Sequence, residues 1–230
     1  MFGAIDPSWS HQFAVSDHQA IWSAGDFETN TAYGVFSLTH LMCVEEISDA
    51  EEVHIEPVAL AYIKNDDTKP FLLRTQLGCA FGTIFSSTDC DCGLQRDAAM
   101  KEIAAQGSGA FIYFPEREGQ GVGFFNKMRL MAHERLTGTD VFAAAADLNI
   151  ALDPDSCLKW VPPIVHEVLG IKSPIVLLTG NPQRQKILMQ FGLQGVQACR
   201  SLFVEESFLS PDGRREVRAK AARYDQSPKN

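Results

Sequence analysis

Three cysteines divide this chain into two stretches of different texture. Cys79, Cys90 and Cys92 fall within fourteen positions, in the segment G-C-A-F-G-T-I-F-S-S-T-D-C-D-C-G. Before them the apolar residues come in strand-like runs. Val35, Phe36, Leu38 and Met42 mark a strand within Tyr33 to Val44, and Ile55 to Ile63 and Phe71 to Thr75 mark two more. The acidic run Glu45 to Glu52 reads as a connection, and Asn65-Asp66-Asp67 with Pro70 as a turn. Gly82 to Ser86 reads as another short strand. After the cysteines, strands and helices alternate. Leu94 to Ala105 is Ala-rich with near-helical apolar spacing and is stopped by Gly107 and Gly109. Ala110 to Phe114 and Pro174 to Leu178 suit buried strands. Val122 to Leu136 and Pro182 to Phe191 suit helices, the second closed by Gly192. Pro162-Pro163 interrupts what would otherwise be a helix from Ser156 to Leu169.

This alternation predicts an α/β fold, a layered mixed sheet with a β-rich N-terminal part. Residues 1 to about 30 are mixed and carry no clear period, and they read as an irregular N-terminal extension. With no internal repeat and no linker-like segment, 31–230 reads as one domain.

Charge narrows the partners. Lys and Arg number 20 and Asp and Glu 29, a formal net charge of -9. A phosphate-backbone partner normally requires a basic face, so no nucleic acid is expected. No apolar run is long enough to span a membrane, and Met1 to Ala20 shows no secretory pattern. A cytoplasmic protein with reduced thiols is therefore expected. Of the six cysteines, three lie apart: Cys43, Cys157 and Cys199.

The C-x10-C-x-C cluster suits zinc, because thiolates are soft ligands. Three protein ligands leave a fourth position for water, the arrangement of a catalytic centre, and no second cysteine pair follows to close a zinc finger. The alternative is three buried free thiols, since free cysteine packs as a small apolar residue.

The segments L-R-T-Q-L-G-C-A-F-G, F-S-S-T-D-C-D-C-G-L-Q, E-G-Q-G-V-G-F-F-N-K, N-I-A-L-D-P-D and L-L-T-G-N-P-Q-R-Q-K-I-L occur in that order. Together they resemble the GTP cyclohydrolase II family of riboflavin biosynthesis. The resemblance runs from about Leu73 to Leu193, with a weaker echo in the basic segment up to Tyr224. It implies the α/β fold of that family, a homodimer, zinc, and magnesium with the nucleotide phosphates. The implied reaction is attack of zinc-activated water on C8 of guanine, loss of formate, and release of pyrophosphate through an arginine nucleophile. By position, the resemblance makes Cys79, Cys90 and Cys92 zinc ligands and places Arg74 and Gln95 at the nucleotide. Glu118 and Gly119 match the family's E-G-R, with Glu118 suited to the guanine N1 and amine edge. Asp153 matches a proton-accepting aspartate, Thr179 the threonine of T-N-N-P, and Arg184 a basic residue beside it. Lys127, Arg129 and Arg135 have spacings that suit either a phosphate-facing set or a solvated helix face. Asp153-Pro154 also suits a plain turn.

Four positions depart from the family pattern. Gln120 replaces the arginine of E-G-R, Asp155 replaces the arginine nucleophile, Met131 replaces a tyrosine, and Asp89 replaces the arginine before C-D-C. A shifted alignment would let Arg117 or Arg129 supply a missing charge. With Gln120 and Asp155 in place, a triphosphate meets fewer cations and one added carboxylate. Met131 offers no hydroxyl for proton exchange, so ring opening without formate loss is expected, leaving a formamidopyrimidine. Three functions are compatible with these residues: a zinc-dependent ring-opening hydrolase, a nucleotide-binding regulator without turnover, and an enzyme of pyrimidine breakdown. Each takes a small nucleotide or base as ligand.

Overall fold

The computed structural model describes residues 11–47, 52–64, 68–202 and 204–224. Its backbone is one mixed sheet of eight strands in the order β1-β2-β3-β4-β6-β5-β7-β8. Strands β1 (His11–Ser16), β2 (Gln19–Thr31), β3 (Gly34–Ile47) and β4 (Glu52–Lys64) form an antiparallel meander. The other four are β5 (Phe71–Leu77), β6 (Ser108–Phe114), β7 (Ile175–Leu178) and β8 (Val196–Arg200). β6 is antiparallel to β4 but parallel to β5, and β5, β7 and β8 run parallel.

The helices are short α1 (Ala80–Thr83), α2 (Cys92–Gln106), the distorted turn α3 (Glu118–Gly121), α4 (Gly123–Thr137) and α5 (Val141–Asp147). A helical run follows, 3-10 over Ser156–Trp160, α6 over Val161–Pro163 and π over Ile164–Val168. α7 (Pro182–Gln190) and α8 (Pro211–Tyr224) complete the set.

Alternation along the strands supplies two apolar faces. Phe71 and Leu73 of β5, with Ile112 and Phe114 of β6, face Leu158, Trp160, Val161 and Ile164 of the helical run. Leu72 and Phe111 point the other way, onto Ala99, Met100 and Ile103 of α2. The central strands are buried on both faces and read as continuous apolar runs for that reason. A third cluster, Leu130 with Val141, Ala144 and Ala145, packs α4 on α5. No helix among the described residues is long and apolar enough to cross a membrane.

Several expectations are corrected. Residues 11–31 are not irregular: they form β1 and β2, an edge hairpin held mainly by its ladder, with Ile21 and Ser23 its only buried residues. Glu45, Glu46 and Ile47 continue β3 and Glu52 begins β4, so both ends of the acidic run are strand. Residues 1–10, 48–51 and the turn Asn65-Asp66-Asp67 lie outside the described residues. Gly82 to Ser86 is no strand. The Thr83 N–H and hydroxyl both donate to the Cys79 carbonyl, closing a helical turn, while Ile84 and Phe85 are exposed. Pro162-Pro163 does not end the helical run. These residues lack backbone N–H groups, and the chain passes from 3-10 through α to π pairing across them.

Candidate active site

Each element that carries a site residue ends at the same edge of the sheet. β5 leads into Cys79, β6 into Glu118 and β7 into Thr179. This is the carboxyl edge of the parallel strands, where α/β sheets open a crevice.

The three thiols converge there. Cys79 lies before α1, Cys90 in the loop behind it and Cys92 at the first position of α2; their sulfurs lie within 4.8 Å of one another. Cys79 and Cys90 are 3.4 Å apart, and both are buried. Gly82 makes this approach possible, because a Cβ there would stand 2.7 Å from the Cys90 sulfur. The Gln76 amide donates to the Cys92 carbonyl at 3.1 Å and ties the first turn of α2 to β5.

Lys127, on α4, completes the cluster. Its ammonium lies 3.0 Å from the Cys79 sulfur and 2.6 Å from Glu118 Oε1, while Glu118 Oε2 accepts the Ala80 N–H at 2.6 Å. Hydrogen bonds from Cys90 and Cys92, aided by the Lys127 ammonium, hold the Cys79 thiol far below its ordinary range. Cys90 is pushed up to about 12, first by its hydrogen bond to Cys79, and Cys92 is raised for the same leading reason. Three soft donors gathered below the surface, with a cation neutralising one of them, fit a zinc ion with an open coordination position.

A single pocket opens over the thiols. Arg74, Gln95, Gly119, Gln120, Met131 and Asp155 line it, as do Thr179 and Arg184. Buried Arg74 donates to Gln95 Oε1 at 2.5 Å and to the Leu178 carbonyl at 3.0 Å, while its Nε has no partner. Burial lowers it only to about 10, so it stays cationic. Gln95 in turn donates to Asp91. Thr179 spends its N–H on the Arg200 carbonyl and accepts the Asn181 N–H at its hydroxyl, so only the hydroxyl proton remains to offer a ligand.

Two expected residues stand behind the pocket wall. Glu118 has both oxygens engaged beneath it. Asp153 faces away: its carboxylate accepts from the Ser156 N–H at 3.1 Å and from Arg117 at 3.2 Å. Burial opposes its ionisation, but Ser156 and Arg117 outweigh that and keep it below its usual range. Asp153 also fixes the Gly119–Gly121 turn. Its N–H donates to the Gln120 carbonyl at 2.9 Å, and Gly121, at φ +85°, approaches so closely that a Cβ would stand 2.1 Å from the Asp153 carbonyl oxygen.

The three cations of α4 separate. Lys127 is at the thiols, Arg135 pairs with Asp89 at 2.6 Å, and Arg129 bonds Asn126 outside the pocket. Arg117 is paired with Glu56 and Asp153, and so does not replace a pocket arginine. The sequence reading missed α8, which brings Asp212, Arg215, Glu216 and Lys220 to the pocket rim. Its signal was present: Ser210 accepts the Gly213 N–H as an N-cap, with Pro211 at the first helical position.

Comparison with known proteins agrees with this geometry. The sequence model for GTP cyclohydrolase II matches residues 24–199, reaching well before the motif-bearing segment. This chain belongs to the GTP cyclohydrolase II family. GTP cyclohydrolase-2 of Neisseria gonorrhoeae (strain ATCC 700825 / FA 1090) is 34% identical over 167 residues, covering 73% of this chain and 78% of the relative. The enzyme of that name from Colwellia psychrerythraea (strain 34H / ATCC BAA-681) is 31% identical over 159 residues, 69% and 76% of the two chains. That of Haemophilus influenzae (strain PittGG) is 31% identical over 167 residues, 73% and 72%. Within this GTP cyclohydrolase II fold, Lys127 supports the thiol cluster from behind. Lys127→Met is expected to weaken zinc binding about 10- to 100-fold, the usual range for an outer-shell partner. Competition with a chromogenic chelator measures it, and unchanged affinity would remove Lys127 from the site.

A second expectation concerns Glu134, one turn beyond Met131 on α4. Burial, then Glu216, pushes its carboxyl up to about 7, with Asp140 and Asp212 adding to the rise and Arg215 opposing it. The native state therefore holds this proton more tightly than the unfolded chain. That stabilisation is present in acid and is lost as pH rises through 7. Glu134→Gln is expected to raise Tm relative to the native protein at pH 8 and not at pH 5; a pH-independent difference would contradict this.

Proposed function

We propose that the chain is a zinc-dependent hydrolase that opens the imidazole ring of a guanine nucleotide, or a related purine, at C8. The observation that carries this is the convergence of three thiols, one of them against Lys127, at the floor of a pocket also lined by Arg74, Gln95, Gln120 and Thr179. Zinc held by Cys79, Cys90 and Cys92 would supply Lewis acidity and a nucleophilic water. The protein's own groups do the rest. Cys90 and Cys92, with Lys127 held in place by Glu118, favour Cys79 as thiolate. Arg74, braced by Gln95 and the Leu178 carbonyl, keeps a positive charge at the pocket wall against the purine.

The reaction proposed stops at the formamidopyrimidine and releases no pyrophosphate. Met131 brings a thioether, which neither donates nor accepts a proton, to the pocket wall. Asp155 brings a carboxylate paired with Arg184 at 3.3 Å, and two anions repel rather than react. Magnesium would accompany any phosphate brought against Asp155. Asp153 remains the proposed proton acceptor, a role that requires its carboxylate to leave Ser156 and Arg117 and turn to the pocket; in the free enzyme it anchors Arg117 and the Gly119–Gly121 turn. A homodimer is proposed as well, for which exposed Ile84, Phe85 and Phe125 offer apolar surface. Zinc-loaded protein incubated with GTP, GDP, GMP and guanosine tests the reaction. Loss of the purine absorbance with a mass gain of one water is expected with at least one of them, and an unchanged spectrum and mass with all four would overturn it.

A further inference from the structure

We propose that the pocket takes a guanine base or nucleoside in preference to a di- or triphosphate. The proposal rests on the ring-opening reading and narrows its substrate. The argument is a charge balance. Six cations line the pocket, namely Arg74, Lys127, Arg135, Arg184, Arg215 and Lys220. Asp89, Asp155, Asp212 and Glu216 line it with them, as does Glu134, whose raised carboxyl is only partly ionised at neutral pH, and Glu118 stands behind Lys127.

The cations are also already bonded. Arg184 is 3.3 Å from Asp155, and Arg135 is 2.6 Å from Asp89 and 3.7 Å from Asp212. Arg215 is 2.9 Å from Asp212, and Lys220 is 2.7 Å from Glu216. Lys127 is held by Glu118 and the Cys79 sulfur. Arg74, which has no carboxylate within bonding distance among the described residues, spends its terminal nitrogens on Gln95, Gln76 and the Leu178 carbonyl. Its Nε is buried as well as unpartnered, so it adds no accessible donor for a phosphate chain.

A triphosphate brings a negative charge of about 1 to 2 per phosphate. To find partners it would have to expel carboxylates from these pairs, leaving them beside it in a site partly closed to water. Each expelled carboxylate repels the incoming anion, and the separation stays within a few ångströms, where salt screens little. The raised carboxyl of Glu134 reports the same field, because Glu216, Asp140 and Asp212 all add to its rise and Arg215 alone lowers it. The neutral donors and acceptors on the wall, Thr179, Asn181, Gln120 and Gln183, suit a base and a ribose.

Calorimetric titration of the zinc-loaded full chain with guanosine, GTP and inorganic tripolyphosphate, with and without magnesium, tests the inference. Guanosine is expected to bind at least tenfold more tightly than GTP, and tripolyphosphate not at all at millimolar concentration. Asp155→Asn, which takes a carboxylate charge out of the pocket beside Arg184, is expected to raise the GTP-to-guanosine affinity ratio at least tenfold. Micromolar binding of tripolyphosphate, or GTP binding tenfold more tightly than guanosine, would overturn the inference. If neither guanosine nor GTP binds, the ring-opening reading falls instead, and the preference for a guanine base or nucleoside falls with it. The tripolyphosphate titration then still reads whether the pocket rejects polyanions.

Discussion

Cys90→Ser removes zinc and turnover together. The substitution keeps the size of the side chain and the Gly82 contact but takes away one of three soft donors from a site that has no fourth protein donor among the described residues. The variant is expected to lose its equivalent of bound zinc on dialysis and to fall to background activity. It also loses the stabilisation that a bound metal gives the native state. At a free metal concentration a thousandfold above Kd that term is about 4 kcal/mol, so the melting temperature of the zinc-treated variant should drop toward that of chelator-treated native protein. Cys199→Ser is the control, since Cys199 is exposed on β8, away from the thiol cluster, and donates to the Gln185 side chain at 3.2 Å. Full zinc content and turnover in Cys90→Ser would mean that the three thiols pack as buried apolar groups and hold no catalytic metal.

Glu56→Ala is expected to produce the largest loss of fold stability, about 3–5 kcal/mol. Glu56 lies on β4 with 2% of its surface exposed, where Arg117 donates to Oε2 through both Nε (2.7 Å) and a terminal nitrogen. The same guanidinium reaches Asp153 at 3.2 Å. One ion pair thus joins the sheet to the turn that carries Glu118 and to the loop before the helical run. Removing the carboxylate leaves a largely buried arginine with only the half-exposed Asp153 as counter-ion. Replacing both partners with leucine removes the uncompensated charge, and should recover much of the loss in urea denaturation. A Glu56→Ala cost below about 1 kcal/mol would show that water reaches Arg117 freely and that the pair is worth no more than a surface one.

The sequence revealed what depends on neighbours along the chain. The apolar runs that became β5, β6 and β7 are buried on both faces, so they needed no alternation to be seen. The α2, α4 and α7 patterns carried their own stops, and Gly107 ends α2 in the left-handed conformation. The spacing of Cys79, Cys90 and Cys92 carried the thiol cluster. What failed depends on distant partners. β1 and β2 bury only Ile21 and Ser23 deeply, because backbone ladders hold them more than a core does. Ile84 and Phe85 have strand-like chemistry, but the turn that buries Gly82 against the thiols puts them on the surface. α8 carries its own start at Ser210-Pro211, but its place at the pocket depends on Ser210 donating to Asp89 and on Lys220 lying 3.9 Å from Asp91, both more than 100 residues away. The contact of Lys127 with Cys79 spans 48 residues and turns a helix-surface lysine into part of the site.

Carbon-13 NMR of zinc-loaded protein mixed with guanosine, GMP or GTP labelled at C8 tests the central claim most directly. Opening of the imidazole ring moves the labelled carbon from an aromatic to a formamide environment. The label is expected to reach that position with at least one of the three compounds and to remain there, with no free formate, and the change should be absent in Cys90→Ser. A label that stays in the intact purine with all three, under conditions where the protein retains its zinc, would contradict the assignment of this pocket to purine ring opening.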